Sequence, residues 1–193
     1  MNVGIVKHKN LLIVIKCQLC ERRIQKLLKQ FLLRTFQDAD LDQVMHINLM
    51  CLPENYMPQF FLDLHYRFPK AFLVAVVGDK VVGYVMCRIE IGFPEMGGIG
   101  IIKKGHIVSL AVLPEYRRMG IGSALTLKAL DAISDYGAKE CFLEVRVSNL
   151  PAINLYEKLG LRPVKRNLGY YSGGETALVM ARKLGTEVSS QVS

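Results

Sequence analysis

The chain has 193 residues, of which 51% are hydrophobic and 22% are charged, and its formal net charge is +8 at pH 7. This composition is typical of a globular protein and excludes a disordered polyelectrolyte, and the length suits one domain with a proper core. The longest apolar run near the N-terminus, residues 11–15, is far below the ~18 residues that a membrane span requires, and no small-residue cleavage site follows it. We therefore predict a soluble, cytoplasmic protein.

The five cysteines are an odd number and are scattered among apolar neighbours. Cys17 and Cys20 form a lone Cys-x-x-Cys pair, and no second ligand pair follows that would complete a zinc site. We expect reduced, buried thiols and predict no metal site.

A basic arm stands at the N-terminus. Residues 1–34 contain eight Lys or Arg residues against one Glu, so they account for +7 of the net charge. Apolar residues between Cys20 and Phe31 recur at helical spacing, which predicts a basic amphipathic helix in an extension covering residues 1–30. The arm could pack on the domain, contact the ribosome, RNA or another anionic surface, or come from an upstream start codon without function.

The remaining segments alternate between strand and helix patterns. They predict, in chain order, a strand at 31–36, a helix through 41–49 that Asp38 or Asp40 can cap, a helix at 58–67, two strands at 71–91 joined by a Gly78-Asp79 turn, a Gly-rich surface loop at 92–105, a strand at 106–114, a helix at 120–136, a strand at 141–147, a short helix at 149–160, two weaker strands at 161–168 and 175–183, and a polar tail at 185–193. The strand–helix–strand–helix order in the middle implies a parallel strand pair with a crossover helix, and hence an α/β or α+β domain.

The junction between the strand at 106–114 and the following helix carries two glycines, Gly120 and Gly122, after Arg117 and Arg118. The first amides of a helix lack internal partners and lie at its positive end, and glycine allows a phosphate to approach the backbone. This arrangement favours an anion site, although an ordinary tight turn would show the same residues.

Two segments resemble the signatures of the GNAT acetyltransferases. "RRMGIG" at 117–122 is similar to the Arg/Gln-x-x-Gly-x-Gly/Ala signature, and "SNLPAINLYEKLGL" at 148–161 is similar to the family's second signature, in the same order along the chain. The resemblance covers about residues 31–184. It implies a GNAT fold of the α/β (α+β) class, with a mixed, mostly antiparallel sheet of about seven strands, a parallel pair formed by the fourth and fifth strands, and flanking helices.

The same resemblance implies acetyl-CoA as co-substrate and no metal. The pyrophosphate would lie on the amides of the Gly-rich turn, the pantetheine arm would pair with the fourth strand, and the sulfur end would lie near the second signature. The implied binding residues are Leu110, Ala111, Val112, Arg117, Arg118, Met119, Gly120, Ile121, Gly122, Ser123, Asn149 and Tyr156.

A narrower resemblance is to archaeal protein N-terminal acetyltransferases, which are related to the NatA catalytic subunit and to ribosomal-protein alanine acetyltransferases. Four segments carry it: "LPENY" at 52–56, "GHIVSLAV" at 105–112, "LEVRVSN" at 143–149 and "GYYSGGE" at 169–175. It implies acetyl transfer to the α-amine of a protein N-terminus, with Tyr56, Tyr170 and Tyr171 forming the walls of the peptide groove and Glu54 orienting the incoming amine. As bare residues, the tyrosines could equally pack in the core and Glu54 could cap a helix.

An α-amine has a pKa of about 8 and must lose a proton before it attacks a thioester, so the reaction needs a base. His106 and Glu144 are the candidates, since the two predicted parallel strands place them side by side; alternation puts His106, Val108 and Leu110 on one face. Tyr156 can donate a proton to the leaving thiolate. The alternatives are a core histidine for His106 and an ion pair with Arg88 or Arg146 for Glu144.

Two other functions stay open at this stage. The chain could acetylate small-molecule amines or lysine side chains, whose ε-amine needs a longer, open groove to reach the sulfur, or it could act as a ribosome- or RNA-contacting protein through the basic arm. For the enzyme we expect protein N-termini as partners, no membrane, and a monomer or weak dimer.

Overall fold

A computed structural model of the protein describes residues 31–185. The predicted N-terminal helix, the Cys17–Cys20 pair and the tail beyond Gly185 lie outside the described residues. Within residues 31–185, none of the helices combines the length and apolar character needed to span a membrane.

Seven strands form one mixed sheet in the order β1-β2-β3-β4-β5-β7-β6. The elements are β1 (Leu32–Thr35), α1 (Leu41–Cys51), α2 (Pro58–Arg67), β2 (Phe72–Val77), β3 (Lys80–Gly92), β4 (Ile102–Val112), α3 (Ile121–Asp135), β5 (Glu140–Arg146), α4 (Leu150–Lys158), β6 (Arg162–Asn167) and β7 (Ala177–Lys183), with 3-10 turns at Asp38–Asp40, Pro69–Ala71 and Pro114–Tyr116. Only β4 and β5 pair in parallel; the five other neighbouring pairs of the described sheet are antiparallel. The predicted fold class, strand number and parallel pair are confirmed.

Helices cover both faces of the sheet. One core lies beneath α3 and α4 and includes the inward residues of α3, namely Leu125, Ala129, Ala132 and Ile133. A second core lies on the opposite face, where Val44 and Ile47 of α1 and Phe61 of α2 pack on β2 and β3. Burial of these two apolar faces is what holds the helices in place.

The predicted Gly-rich loop at 92–105 is shorter than expected. The antiparallel ladder of β3 and β4 continues to Gly92 opposite Ile102, which leaves residues 93–101 as the loop. The Glu140 carboxylate accepts hydrogen bonds from the backbone amides of Glu95 (2.7 Å) and Met96 (3.1 Å). Gly105 belongs to β4, and a Cβ added there would lie 2.0 Å from Cγ2 of Ile133. This glycine therefore serves the close approach of α3 to the strand.

A β-bulge in β4 changes which side chains share a face of the sheet, so the predicted alternation does not hold along the whole strand. The register with β3 shifts between Met86, opposite Ser109, and Cys87, opposite Ile107, so that Val108 is the extra residue. Beyond the bulge, Leu110 packs in the α3 core, whereas Val108 packs in the α1/α2 core. The prediction that His106, Val108 and Leu110 share one face is wrong at Leu110.

Asp40 is the residue before α1, as predicted, but its side chain does not cap that helix. Its carboxylate binds Arg34 (2.6 and 2.8 Å) and accepts the Gln37 amide (2.8 Å), which closes the preceding 3-10 turn. Because the Asp40 carboxylate is bound by the Arg34 guanidinium, it does not turn toward the amides of α1.

Three cysteines lie within the described residues, and all three are free thiols. Cys87 and Cys141 are buried and Cys51 is half-buried. Burial raises the pKa of the Cys141 thiol, which therefore stays protonated and unreactive.

Candidate active site

A cleft of about 1050 Å³ opens where β4 and β5 separate. The two strands pair only over Lys104–His106 and Glu140–Phe142, and beyond His106 the bulge in β4 turns it away from its neighbour. Backbone groups on this edge of β4 lack a β5 partner and face the cleft, so an extended ligand can pair with them. Leu110, Ala111 and Val112 line this part of the cleft.

The N-terminus of α3 forms one end of the cleft. Gly120 has a φ of +84°, and the first intrahelical bond runs from the Ala124 amide to its carbonyl (2.9 Å). The amides of Ile121, Gly122 and Ser123 precede that bond and have no partner within the helix. Arg118, which also has a positive φ of 63°, lines the cleft beside them. The result is the cationic, amide-lined concavity that a pyrophosphate needs.

Arg117 makes a different contact from Arg118. Its Nε donates to the Val112 carbonyl at 3.0 Å, which ties the turn to the end of β4. Arg117 also lines the cleft, as do Gly120 and Gly122, whereas Met119 does not border it and packs against the α3 core.

His106 and Glu144 meet in the cleft wall, as the strand pairing predicts. His106 Nε2 lies 2.7 Å from Glu144 Oε2, and the imidazole stacks on Phe142 with ring centroids 4.4 Å apart. The alternative partners of Glu144 are occupied elsewhere: Arg88 binds Glu90, and Arg146 binds Glu54 and Glu175. Glu144 is thus paired with the histidine and not with either arginine.

A second carboxylate contacts the other ring nitrogen of His106, and the sequence patterns did not predict this contact. Its Nδ1 lies 3.2 Å from Glu90 Oε1. Burial by itself would lower the pKa of His106, but the hydrogen bonds to Glu144 and Glu90 outweigh burial and raise it above its usual value. The histidine in turn lowers the pKa of Glu90 to about 2. The available signal was that Arg88 and Glu90, two residues apart in a predicted strand, share one face of the sheet with His106 of the facing strand.

Tyr156 and Asn149 border the cleft from α4. Tyr156 is buried, and burial raises the pKa of its phenol, which keeps the group a hydrogen-bond donor at neutral pH. Asn149 caps the helix by accepting the Ala152 amide at 3.3 Å, so its side chain is already fixed at the cleft margin.

The other end of the cleft is lined by Glu54, Tyr56, Tyr170 and Tyr171. Tyr56 stacks on Phe60 at 4.8 Å, and the rings of Tyr170 and Tyr171 meet edge to face at 5.0 Å. Glu54 lies in the loop between α1 and α2 and is not a helix cap, because the residue before α2 is Met57.

Arg146 links the loops that form this end of the cleft, a role that the sequence patterns did not predict. Its guanidinium forms ion pairs with Glu54 and, at 2.7 Å, with Glu175, and it lies 4.0 Å above the ring of Tyr171. Glu175 also accepts the Ser148 hydroxyl at 2.6 Å. One side chain of β5 therefore positions residues from two separate loops.

A buried polar network anchors the loop that carries Glu54. Asn48 Nδ2 donates to the Tyr84 hydroxyl (3.0 Å) and to the Glu54 carbonyl (3.1 Å), and the hydroxyls of Tyr84 and Ser109 form a hydrogen bond of 2.8 Å. Buried polar groups satisfied in this way make a loop conformation unique. In residues 31–185, no three His, Cys, Asp or Glu side chains are grouped as a metal site would require.

The model of the acetyltransferase (GNAT) family matches residues 41–161, well over half of the chain. The chain belongs to the GNAT acetyltransferase family. As a GNAT enzyme it is an acetyl-CoA-dependent acyltransferase, and the free β4 edge and the amides of α3 fit an elongated, phosphate-bearing co-substrate.

Relatives within the family place the chain among N-terminal acetyltransferases by similarity. It is 48% identical to an N-alpha-acetyltransferase of Sulfurisphaera tokodaii over 158 residues, which cover 81% of this chain and 95% of the relative. The crystal structure of Ard1 from Thermoplasma volcanium has a TM-score of 0.70 at 30% identity, covering 81% of this chain and 99% of that one. Arabidopsis thaliana Naa50, in complex with the bisubstrate analogue CoA-Ac-MVNAL, has a TM-score of 0.67 at 27% identity, covering 79% and 97%.

Proposed function

We propose that this GNAT enzyme transfers the acetyl group of acetyl-CoA to the N-terminal α-amine of proteins. The observation that carries the proposal is the His106–Glu144 pair, which faces the cleft between the amide-lined end at α3 and the tyrosine-lined end. The similarity to N-alpha-acetyltransferases and to an enzyme solved with a peptide-linked CoA analogue supports it.

In this proposal the chain holds acetyl-CoA through the α3 amides, Arg117 and Arg118, and pairs with it along Leu110–Val112. Acetyl-CoA supplies the activated thioester. Glu144, polarised by His106, takes a proton from the α-ammonium directly or through one water, which leaves the amine free to attack. Because Glu144 Oε2 already makes the 2.7 Å hydrogen bond with His106 Nε2, the proton taken from the amine lies on the other oxygen, Oε1.

Tyr156 faces the leaving sulfur in this arrangement. Its raised pKa means that complete proton transfer to a thiolate of pKa ~8.5 is uphill, so Tyr156 stabilises the thiolate as a hydrogen-bond donor. Glu54 would bind the ammonium group of the incoming peptide, and Tyr56, Tyr170 and Tyr171 would flank its first residues.

The test is mass spectrometry of peptides after incubation with acetyl-CoA. The panel begins with Ser, Ala, Met-Leu or Met-Glu, and one peptide carries an internal lysine behind a blocked N-terminus. We expect acetyl groups on α-amines. If only the blocked lysine peptide were modified, the function would be the alternative, lysine acetylation, with fold and co-substrate unchanged.

The basic arm supports a second, independent contact. Residues 1–34 carry +7 of the net charge of +8, and an arm of this charge would attract the phosphates of ribosomal RNA. Removing residues 1–30 and measuring RNA binding against salt tests this contact; binding that does not change on removal would contradict it. A monomer or weak dimer and a cytoplasmic location remain predictions, the first open to light scattering.

A further inference from the structure

Glu90 is a carboxylate in direct contact with His106 that the proposed mechanism does not use. Glu90 Oε1 lies 3.2 Å from Nδ1 of His106 and 2.5 Å from Nε of Arg88. His106 and Glu144 both line the cleft, whereas Glu90 does not. The imidazole therefore separates a carboxylate that faces the substrate from one that lies behind it.

The two carboxylates leave His106 little freedom. With Nδ1 facing Glu90 and Nε2 at 2.7 Å from Glu144, neither ring nitrogen offers a free lone pair to the cleft. The nitrogen that a histidine presents is set by the hydrogen bond that the other nitrogen makes. The group that meets the amine directly is thus Glu144, and the histidine acts from behind it.

Further charged and titratable groups surround the imidazole on every packed element. Arg88 and Glu90 face it from β3, and Glu144 from β5. Lys104 of β4 lies on the Phe142 ring at 4.7 Å, and that ring stacks on His106; Tyr170 is near Glu144 from the loop before β7. Among these groups, Glu90 is the one with an oxygen within hydrogen-bond distance of Nδ1, at 3.2 Å.

We propose that Glu90 is a positioning residue of the acetyl transfer: it holds the Nδ1–H of His106, directs Nε2 at Glu144, and adds its negative charge to the pair that takes up the amine proton. The inference rests on the proposed function. A carboxylate behind a functional histidine fixes its tautomer and its orientation, and raises its basicity.

The variant that tests this is Glu90→Gln, which keeps the shape of the side chain and removes its charge. We expect kcat for a good peptide to fall roughly tenfold, with the KM for acetyl-CoA unchanged, which is the lower end of losses on removing the partner of a functional histidine. The acidic limb of the pH–kcat profile should move to lower pH, because a lost anion weakens the basicity of the pair. Asp131→Asn is the matched control, since Asp131 is exposed in the middle of α3 and forms no ion pair within residues 31–185.

Nitrogen-15 NMR of the His106 ring gives a readout that does not depend on turnover. In the wild type Nδ1 should carry a proton throughout the neutral range, and in Glu90→Gln the ring should titrate at lower pH. A wild-type ring with an unprotonated Nδ1 at neutral pH would overturn the inference, even if the variant failed to fold.

The two proposals fail in different ways. A wild type that leaves every α-amine unmodified removes the proposed function, whereas the NMR titration still reports on Glu90. An active wild type whose Glu90→Gln variant keeps both the pH profile and the ring titration removes only the role of Glu90.

Discussion

At the scale of single residues, the chemistry depends on how the charged groups around Glu144 pair with one another. Arg88 and Arg146 are both spaced to reach Glu144, yet Arg88 binds Glu90 of its own strand and Arg146 binds Glu175 of another segment. Glu144 is left to His106 in a contact of 2.7 Å. This division of partners leaves Glu144 in the cleft wall with His106 as its partner, where a substrate amine can reach it.

The first prediction concerns Glu144 itself. Glu144→Gln keeps the hydrogen bond to His106 but cannot take the amine proton, so kcat should fall roughly 100-fold or more, the usual contribution of a general base. The KM for acetyl-CoA should stay the same, since its proposed contacts are with α3 and β4. Steady-state kinetics with a peptide substrate measure both, with Asp131→Asn as control. A variant with wild-type kcat would exclude Glu144 as the base.

The second prediction concerns stability in acid. Glu90 has a pKa of about 2 in the folded protein against an ordinary value of 4.5. A lowered folded-state pKa contributes stability above pH 4.5 that is lost as the pH falls toward 2. Denaturant unfolding across this range should show a steeper loss for the wild type than for Glu90→Gln. Parallel curves for the two proteins would contradict the assigned shift.

At the scale of elements, periodicity located most helices and strands; for α2, the predicted 58–67 coincides with Pro58–Arg67. It failed in two places in β4. Lys103, Lys104 and Gly105 were interpreted as loop because they are polar or flexible, but β3 and α3 impose a strand there. The bulge at Val108 was missed because an extra residue in a ladder depends on the partner strand, which a single segment does not contain.

The third prediction belongs to the packing of α3 on β4. Gly105→Ala would place a Cβ 2.0 Å from Cγ2 of Ile133, so the helix or the strand must move, at a cost of roughly 1–3 kcal/mol or more in unfolding free energy. Gly92→Ala is the matched control in the same hairpin, where the nearest atom is Lys104 Cε at 3.6 Å. Thermal unfolding compares them. Equal stability of the two variants would show that α3 and β4 lie further apart at Gly105 than this distance indicates.

At the scale of the whole molecule, the tyrosine-lined end of the cleft is assembled from segments distant in sequence. Arg146 on β5 binds Glu54 in the α1–α2 loop and Glu175 before β7, and it stacks on Tyr171. These three segments meet only because β5 and β7 are neighbours in the sheet and the α1–α2 loop lies above them. The proposed peptide groove therefore depends on the fold as a whole.

The fourth prediction tests that assembly. Arg146→Gln removes both ion pairs and the contact with the tyrosine ring, so the two loops should separate and the KM for peptide should rise about tenfold, or 1.4 kcal/mol. The KM for acetyl-CoA should not change. Arg67→Gln is the control, since Arg67 also lies over an aromatic ring, Phe68 at 5.3 Å, but does not border the cleft. A rise in both Michaelis constants would indicate a general loss of structure.

The sequence by itself determined the family, the order of most elements, the glycine turn at Gly120 that begins α3, and the pairing of His106 with Glu144. These features depend on local periodicity, on a short motif, and on two adjacent parallel strands. Only the tertiary structure decided that Glu90 lies behind His106, that Arg146 joins two loops, and that the bulge opens the cleft. Each of these depends on register between strands or on contacts between distant loops, and such contacts leave no periodic trace in the segments that make them.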